Sequence, residues 1–288
     1  MMKTATNSTW LSLALALFAT SCGGGSSGAA GTGHLRVFAT DDPFALDIVK
    51  EAHVHVSAIR VHADSAAEDG FTTIYSGPGF DLSLLDLRNG VTFTAADTFL
   101  PVGSIGQIRI IIDNASLTLD NDNVYSTALG NLDLTSADTS GLKVFVSPPL
   151  EVVAGQTTDV LLDFDLSKTF HPVPASDPPN AAKFLLMPGI RTANLVDSGE
   201  LRGVVTQDDG AGGEIGVDKA TVYVLPPGET DLTLSVATSG SDPDGSYAIL
   251  GVAPGTYDVI AAKGALQGTV TAVDIFAAES TTVDILIE

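Results

Sequence analysis

Three histidines on one predicted strand form the most suggestive metal-binding pattern in the sequence. His53 and His55 lie two residues apart in HVHVSAIRVH (53–62), so their side chains would project from one face of a strand. A bulge near Ser57–Ala58 would shift the alternation and bring His62 onto that face. Three imidazoles on one edge could bind Zn²⁺ or Cu²⁺. The alternative is a solvated strand face that carries histidine at its polar positions, and no H-E-x-x-H or H-x-x-E motif follows to indicate a metallopeptidase.

Aspartates recur where their carboxylates could bind a hard cation such as Ca²⁺. Asp159, Asp163 and Asp165 would share one face of a strand, and predicted turns hold two further pairs. The turn pairs are Asp120 with Asp122 and Asp242 with Asp244. An EF-hand is excluded, because its loop would begin and end on Gly240 and Gly251. Turn acids commonly cap their own backbone, and exposed strand acids keep sheet edges soluble. We therefore predict no metal ligand and no cofactor, with a structural calcium ion as the open alternative.

The sequence offers little for catalysis. A G-x-S-x-G motif occurs at 24–28, but no strand precedes it and no helix follows, so the turn that exposes a catalytic serine is not predicted. Phosphate-binding G-x-x-x-x-G-K loops are absent. We predict no catalytic residue and no enzymatic activity. The alternative is a hydrolase within 34–196, which would need a pocket with convergent polar groups and perturbed carboxylates.

The net charge and the hydrophobic fraction exclude further classes of function. Over 288 residues, 35 acids against 13 bases give a net charge of −22. Nucleic acid is excluded as a partner, because phosphate binding needs clustered lysine and arginine. Adsorption to an anionic lipid surface is disfavoured for the same reason. The hydrophobic fraction of 44% is nevertheless high enough for a buried core.

The first 33 residues resemble the signal and tether of a bacterial lipoprotein. Lys3 precedes an apolar run over 10–19, which is too short to span a bilayer and is typical of a signal peptide. Small residues then precede Cys22, the only cysteine of the chain. The resemblance implies a signal peptide over 1–21, lipidation of Cys22 and a flexible Gly/Ser tether over 22–33. It implies an exported, lipid-anchored protein of the cell envelope, and Gly23 favours the outer membrane. Ordinary secretion with a stray cysteine is the alternative.

From His34 onward the dominant sequence period is two, which predicts short strands separated by turns. This pattern predicts an all-β protein of two consecutive antiparallel β-sandwich domains. We place them at 34–196, the larger half, and at 199–288, the C-terminal half. In the C-terminal half we expect a seven-stranded Greek-key sandwich with strands over 200–206, 219–225, 232–238, 246–250, 256–262, 268–276 and 281–287.

The C-terminal half resembles the carboxypeptidase regulatory-like domain, a prealbumin-type sandwich. The resemblance is carried by AxVYV at 220–224 and SDPDGSYAILGVAPGTYDVIAA at 241–262. Gly245 would supply a positive φ in the turn, after which Tyr247 enters the core. The resemblance implies a non-catalytic folding or interaction module, and related sandwiches bind starch and other glycans. The residues support stacking on sugars poorly, since the chain has few aromatic side chains outside predicted core positions.

The larger half resembles an uncharacterised domain family found in bacterial lipoproteins. Its landmarks are TDDP (40–43), the strand 53–62, LPVGSIGQIRI (100–110), LLDFDL (161–166) and LMPGIR (186–191). No activity is implied. Together these observations predict a non-catalytic, lipid-anchored extracytoplasmic protein that acts as a surface or periplasmic interaction module, with another envelope protein or a glycan as its partner. The alternatives are carbohydrate binding through the C-terminal half and the hydrolase described above.

Overall fold

The computed structural model describes residues 31–42, 48–187 and 189–288. The signal peptide over 1–21, Cys22 and the G-x-S-x-G motif at 24–28 lie outside the described residues, as does most of the tether. Within the described residues no helix is long and apolar enough to cross a membrane.

The larger half is built almost entirely from strands. They are β1 (Thr32–Asp42), β2 (Val49–His62), β3 (Thr72–Ser83), β4 (Phe93–Pro101), β5 (Gly103–Leu119), β6 (Val124–Ser126), β7 (Leu132–Asp133), β8 (Leu142–Val152), β9 (Thr157–Asp165), β10 (Phe170–Val173), β11 (Lys183–Leu186) and β12 (Ile190–Asn194). One helical turn, α1 (Leu166–Thr169), and 3₁₀ turns at Leu84–Leu87 and Pro178–Asn180 interrupt them.

Two main sheets of the larger half enclose one core. One sheet has the order β12-β9-β1-β4, and the other has the order β3-β2-β5-β6 with β8 also paired to β5. A small third sheet, β10-β11-β7, lies beside them. The inward faces contribute fully buried side chains such as Val37, Ile108, Leu117 and Phe164. This arrangement is a β-sandwich, since alternating residues of both sheets fill the space between them.

The bulge predicted in β2 is confirmed. The pairing of β2 with both neighbours shifts register between Val56 and Ala58. Val54 and Val56 before the bulge, and Ile59 and Val61 after it, are all buried. One extra residue thus keeps the apolar side chains on the inner face although their spacing in sequence changes phase.

The C-terminal half is a second, smaller sandwich with its own core. Its strands are β13 (Gly199–Asp208), β14 (Glu214–Gly216), β15 (Thr221–Leu225), β16 (Ala237–Gly240), β17 (Ser246–Val252), β18 (Gly255–Lys263), β19 (Leu266–Ile275), β20 (Ser280–Thr282) and β21 (Ile285–Leu286). One sheet has the order β14-β13-β17 with β20 and β21 also on β13, and the other has the order β16-β15-β18-β19. Tyr247, which we predicted to enter the core, lies in it together with Ile249 and Val252.

The strand predicted over 232–238 is wrong in its first part. Leu232–Leu234 form a 3₁₀ turn, and β16 begins only at Ala237. Asp231 explains the difference, because its carboxylate accepts hydrogen bonds from the backbone N–H and the hydroxyl of Thr233. A local side-chain acceptor of this kind competes with the sheet for the backbone.

The all-β prediction is confirmed, but the sheets are not purely antiparallel. β1 pairs with β9 in parallel over nine residue pairs from His34–Thr157 to Asp42–Asp165. In the C-terminal half β20 and β21 both run parallel to β13. Parallel neighbours need a long crossover. The chain between β1 and β9 supplies it, and contains β4 of the same sheet as well as the strands of the other main sheet. The division of the chain into independently folding domains at 196–199 stays a prediction.

Candidate functional site

Arg191 on β12 joins the two halves through one guanidinium group. Its Nη2 donates to Asp163 Oδ2 on β9 at 2.5 Å and to the carbonyl of Leu250 at 2.9 Å. Its Nη1 donates to the carbonyl of Gly251 at 2.5 Å. Asp163 is only 4% exposed, and a buried carboxylate is tolerated only with a cationic partner. Arg191 therefore neutralises Asp163 and binds the end of β17 at the same time.

Close packing at Gly251 completes this contact. A Cβ added at Gly251 would lie 2.7 Å from the Cβ of Ala193 and 3.0 Å from Cδ2 of Leu161, and its φ is +69°. Leu161 is fully buried although it points away from the core of the larger half. Only glycine allows the backbone to approach so closely in this conformation. The outer face of the sheet β12-β9-β1-β4 is thus covered by the C-terminal half around Leu161 and Ala193.

A second polar contact lies farther along the same boundary. Asn89 Nδ2 donates to Asp242 Oδ2 at 2.5 Å, and a Cβ added at Gly90 would contact the Cβ of Ala248 at 3.2 Å. Both residues of the larger half lie in the turn between its 3₁₀ segment and β4. Arg191 and Asn89 thus each connect the two halves through hydrogen bonds, Arg191 to backbone carbonyls and Asn89 to an acidic side chain.

A cleft of about 680 Å³ opens beside the Arg191 contact. Its walls come from both halves and from the segment that connects them: residues 146–151, 153, 156–158, 191–194, 196–198, Val236, Ala237, 251–254 and Tyr257. A cavity of about 210 Å³ continues the cleft along β12 and shares Arg191, Val236 and Ala237 with it. Clefts of this size between structural units are common binding sites.

The cleft combines apolar walls with a few polar groups. Pro148, Pro149 and Val196 are exposed on its surface. The Ser198 hydroxyl is buried without a hydrogen-bond partner among the described residues. Tyr257 borders the cleft with its ring and donates its hydroxyl hydrogen bond to the carbonyl of Ala253 at 2.9 Å. These features suit a bound molecule that is partly apolar and hydrogen-bonds through backbone-like groups.

Two acids give the cleft rim a negative charge. Glu151 and Asp197 are exposed, and Asp197 accepts a hydrogen bond from Asn194 Nδ2 at 2.6 Å. The one base of the lining, Arg191, is already engaged by Asp163. The rim is therefore complementary to a ligand that carries positive charge.

Two titratable groups near the cleft, Asp163 and Tyr257, are poorly placed for proton transfer. Burial raises the pKa of Asp163 against the opposing effect of Arg191, and burial also raises the pKa of Tyr257. Asp163 is covered by Arg191, and the Tyr257 hydroxyl is engaged with the backbone. Neither of these two groups is therefore free to transfer a proton to a molecule in the cleft.

A Thr–His–Asp row borders the cleft. His34 Nε2 lies 2.5 Å from Asp97 Oδ1, and His34 Nδ1 lies 3.5 Å from the hydroxyl of Thr157. Proton transfer between a hydroxyl and an imidazole needs a separation of about 2.6–3.2 Å. His34 instead stacks on the exposed ring of Phe99, with ring centroids 4.7 Å apart. The row is a surface hydrogen-bond arrangement.

The three predicted histidines lie on the outer face of β2, where His55 and His62 engage different partners. His55 Nδ1 is 2.8 Å from Asp81 Oδ1, and this hydrogen bond raises the pKa of His55. His62 Nδ1 accepts from the backbone N–H of Asp64. Among the residues that the structure describes, no three His, Cys, Asp or Glu side chains are grouped to hold a metal ion. The bulge restores the common face, yet the histidines remain spread along a long strand.

The interpretation of the β9 acids as a solvated edge is wrong. β9 is an interior strand between β12 and β1, and each acid pairs with a base. Asp159 accepts two hydrogen bonds from Arg36, at 2.7 and 2.5 Å, and Asp165 lies 2.8 Å from Lys168 Nζ. The alternation of strand residues assigned these acids to one face correctly. It could not show that the C-terminal half covers that face.

The turn acids form hydrogen bonds and ion pairs with neighbouring residues. Asp244 Oδ1 accepts from the N–H and hydroxyl of Ser246, which confirms the predicted backbone capping. Asp122 instead pairs with Lys50 at 2.8 Å, and Asp242 contacts Asn89 across the boundary. A structural calcium ion stays an untested alternative.

Sequence reasoning assigned no functional or structural role to Arg191, Asn89 or Gly251. One signal was available, because Asp163 interrupts the apolar run VLLDF and a buried acid requires a cation. Which of the bases supplies it depends on β12 pairing antiparallel with β9, where Arg191 is directly opposite Asp163.

Residues 32–188 match the model of a domain of unknown function, DUF4382. The chain belongs to this family. The match agrees with the predicted resemblance of the larger half to an unknown-function family, whose bounds we placed at 34–196. The DUF4382 segment contains β1 to β11 and ends just before β12, so Arg191 lies outside it. The resemblance of 199–288 to the carboxypeptidase regulatory-like domain stays a prediction.

Other comparisons add little about function. No curated protein matches the chain. The TIE protein of Bacillus anthracis is 10% identical, with a TM-score of 0.21, over 89% of this chain and 34% of that one. The minor pilin GBS52 of Streptococcus agalactiae is 12% identical, with a TM-score of 0.23, over 88% and 94%. The major pilin subunit BcpA of Bacillus cereus is 9% identical, with a TM-score of 0.24, over 89% and 70%. Likenesses this distant carry no conclusion about the activity of the chain.

Proposed function

We propose that this DUF4382 protein is a non-catalytic, lipid-anchored module of the bacterial cell envelope that binds a partner protein in the cleft between its two halves. The observation that carries the proposal is the cleft itself, whose walls come from both sandwiches and the connecting segment. Sites between structural units are favourable for binding because they bury a ligand on several sides. Outer membrane attachment through Cys22 rests on the lipoprotein-like sequence around it.

Lipid anchoring is tested at Cys22. Mass spectrometry of the mature N-terminus should detect a diacyl- or triacyl-modified Cys22, and Cys22→Ala should release the protein from the membrane fraction. Recovery of an unmodified soluble chain, or unchanged membrane association of Cys22→Ala, would contradict the proposed anchor. Fractionation of inner and outer membranes tests the finer localisation.

Partner binding is tested by photocrosslinking in cells. Val196 lines the cleft and is 58% exposed, whereas Leu286 is 41% exposed on β21, outside the cleft lining. A photoreactive phenylalanine analogue at position 196 should crosslink one envelope protein, and the same analogue at position 286 should not. Equal crosslinking at both positions, or none at position 196, would argue against the cleft as the binding site.

Carbohydrate binding is the second candidate, favoured by the ring of Tyr257 at the cleft border. A saccharide would stack on this ring and hydrogen-bond to neighbouring polar groups. A glycan array probed with the full chain and with Tyr257→Ala separates this candidate from protein binding. Retained binding by a Tyr257→Ala variant would exclude the proposed stacking. The hydrolase in the larger half stays a less supported alternative, since Asp163 is buried behind Arg191.

A further inference from the structure

β12 is an edge strand whose outer side presents unpaired backbone groups. It pairs only with β9, in antiparallel register. The N–H of Asp165 bonds to the carbonyl of Gly189, and the N–H of Leu195 bonds to the carbonyl of Asp159. Because hydrogen-bonded pairs alternate along an antiparallel ladder, the odd-numbered residues of β12 face β9. The backbone groups of Ile190, Thr192 and Asn194 therefore point away from the sheet.

Most of these outward groups lack a partner within the described part of the chain. The carbonyl of Asn194 accepts from the N–H of Asp197. The N–H groups of Ile190, Thr192 and Asn194 and the carbonyls of Ile190 and Thr192 have no hydrogen bond beyond the sheet. All five residues of β12 are half-buried, so these groups are partly withdrawn from water, and pairing them is favourable.

β8 lies beside β12 across the cleft but does not pair with it. β8 passes Pro148 and Pro149 along the cleft, and proline has no N–H to donate to a ladder. β8 instead pairs with β5 on its other side. The main cleft and its continuation together follow β12 from Ile190 to Asn194. Five residues of strand correspond to about 17 Å, which is the length of a short extended peptide.

We propose that the cleft binds an extended polypeptide segment carrying lysine or arginine, which adds as a strand to the free edge of β12. Strand addition supplies affinity through backbone hydrogen bonds, while side chains of the added strand supply specificity. Positive charge is favoured because Glu151 and Asp197 are exposed at the rim and Arg191 is already paired. This inference rests on the proposed function and names the kind of partner that the same cleft accepts.

The test uses the full chain, purified in detergent, and three fluorescein-labelled nonapeptides. KVTVKVTVK is basic and strand-forming, EVTVEVTVE has the opposite charge, and KPTPKPTPK is basic but cannot form a ladder. Fluorescence anisotropy should show saturable binding of KVTVKVTVK and roughly tenfold weaker binding of the other two.

A matched pair of variants tests the backbone contact itself. Thr192→Pro removes one outward N–H without removing a bond to β9, and proline is tolerated on such an edge. Thr192→Val keeps the N–H and a similar side-chain shape. Thr192→Pro should weaken KVTVKVTVK binding roughly tenfold, whereas Thr192→Val should leave it within about twofold.

The double variant Glu151→Lys with Asp197→Lys provides a test that leaves the sequence of β12 unchanged. Both side chains are exposed, and their reversal should transfer the preference to EVTVEVTVE. Equal binding of KPTPKPTPK, unchanged binding by folded Thr192→Pro, or an unchanged charge preference would each overturn strand addition.

Three further outcomes distinguish failure of strand addition from failure of the proposed function. A full chain that is dimeric and becomes monomeric in Thr192→Pro would show that a second copy occupies the edge, which overturns the peptide proposal. Crosslinking from position 196 together with no specific peptide binding would overturn strand addition and leave the proposed function standing. If the peptide binds but no protein is crosslinked from position 196 in cells, the result counts against the proposed function. The two results can be separated because peptide binding is measured with the purified chain.

Discussion

The two halves contribute opposite kinds of groups to their common boundary. The larger half supplies side chains, above all Arg191 and Asn89. The C-terminal half supplies mainly backbone, with the carbonyls of Leu250 and Gly251 and the close approach at Gly251. Each half also keeps a separate hydrophobic core. The boundary therefore depends on a few directional contacts, which fix the orientation of two already closed sandwiches.

Because of this difference, we expect core substitutions and boundary substitutions to affect the stability of the two halves differently. Changes inside either core should affect mainly the half that contains them, whereas changes at Arg191 should affect both. Stability measurements can therefore show whether the halves behave as one cooperative unit or as two.

Arg191→Ala should have the largest effect. It leaves Asp163 buried without its cation and removes the bonds to two carbonyls of the C-terminal half. Loss of one partner of a buried ion pair costs about 3–5 kcal/mol. Urea unfolding followed by circular dichroism measures this loss. Adding Asp163→Asn should recover part of it, and a loss below about 1 kcal/mol for the single variant would contradict the buried-pair argument.

Gly245→Val should destabilise the C-terminal half by about 3 kcal/mol, near the upper end for a strained residue. Gly245 has a φ of +85°, as predicted, and an added Cβ would lie 2.3 Å from the carbonyl oxygen of Val205. Gly210→Val is the matched control, because its φ is +74° with no atom within 4 Å of an added Cβ. Calorimetry should show that Gly245→Val lowers the melting temperature of the C-terminal half more than Gly210→Val does. Equal displacement of both transitions would mean that the halves unfold as one unit.

Asn89→Gly should weaken the second contact between the halves by about 1 kcal/mol. Glycine retains the positive φ of 57° that Asn89 adopts, so the variant removes the hydrogen bond to Asp242 without adding backbone strain. Asn89→Asp should lower the stability further, because it places a second carboxylate against that of Asp242. Denaturation midpoints measure both effects, and equal stability of all three proteins would remove this contact from the boundary.

His55 should give the smallest effect, a pH dependence confined to the larger half. Its hydrogen bond to Asp81 raises its pKa above the ordinary value of 6.5, with a further contribution from Asp113. The protonated form is therefore stabilised by folding, and this contribution is full below pH 6.5 and lost as the pH rises through the raised pKa. The urea midpoint of the wild type should fall over that range relative to His55→Gln. Parallel pH profiles would contradict the assignment.

Local patterns predicted several features correctly. The phase change between Val56 and Ile59 predicted the β2 bulge, and the Asp-Gly pair predicted the positive φ of Gly245. The acids of β9 were assigned to one face but to the wrong environment. Periodicity reports which side chains share a face, and nothing in it reports which other segment covers that face.

The sequence by itself determined the all-β class, the apolar strand faces that form the cores and the turn at Gly245. Those features follow from alternation and from glycine stereochemistry, which act over a few residues. Only the tertiary structure decided the partner of Asp163, the cleft and the free edge of β12. Each depends on segments far apart in sequence: Arg191 meets Gly251 across sixty residues, and the cleft forms only where the two sandwiches meet.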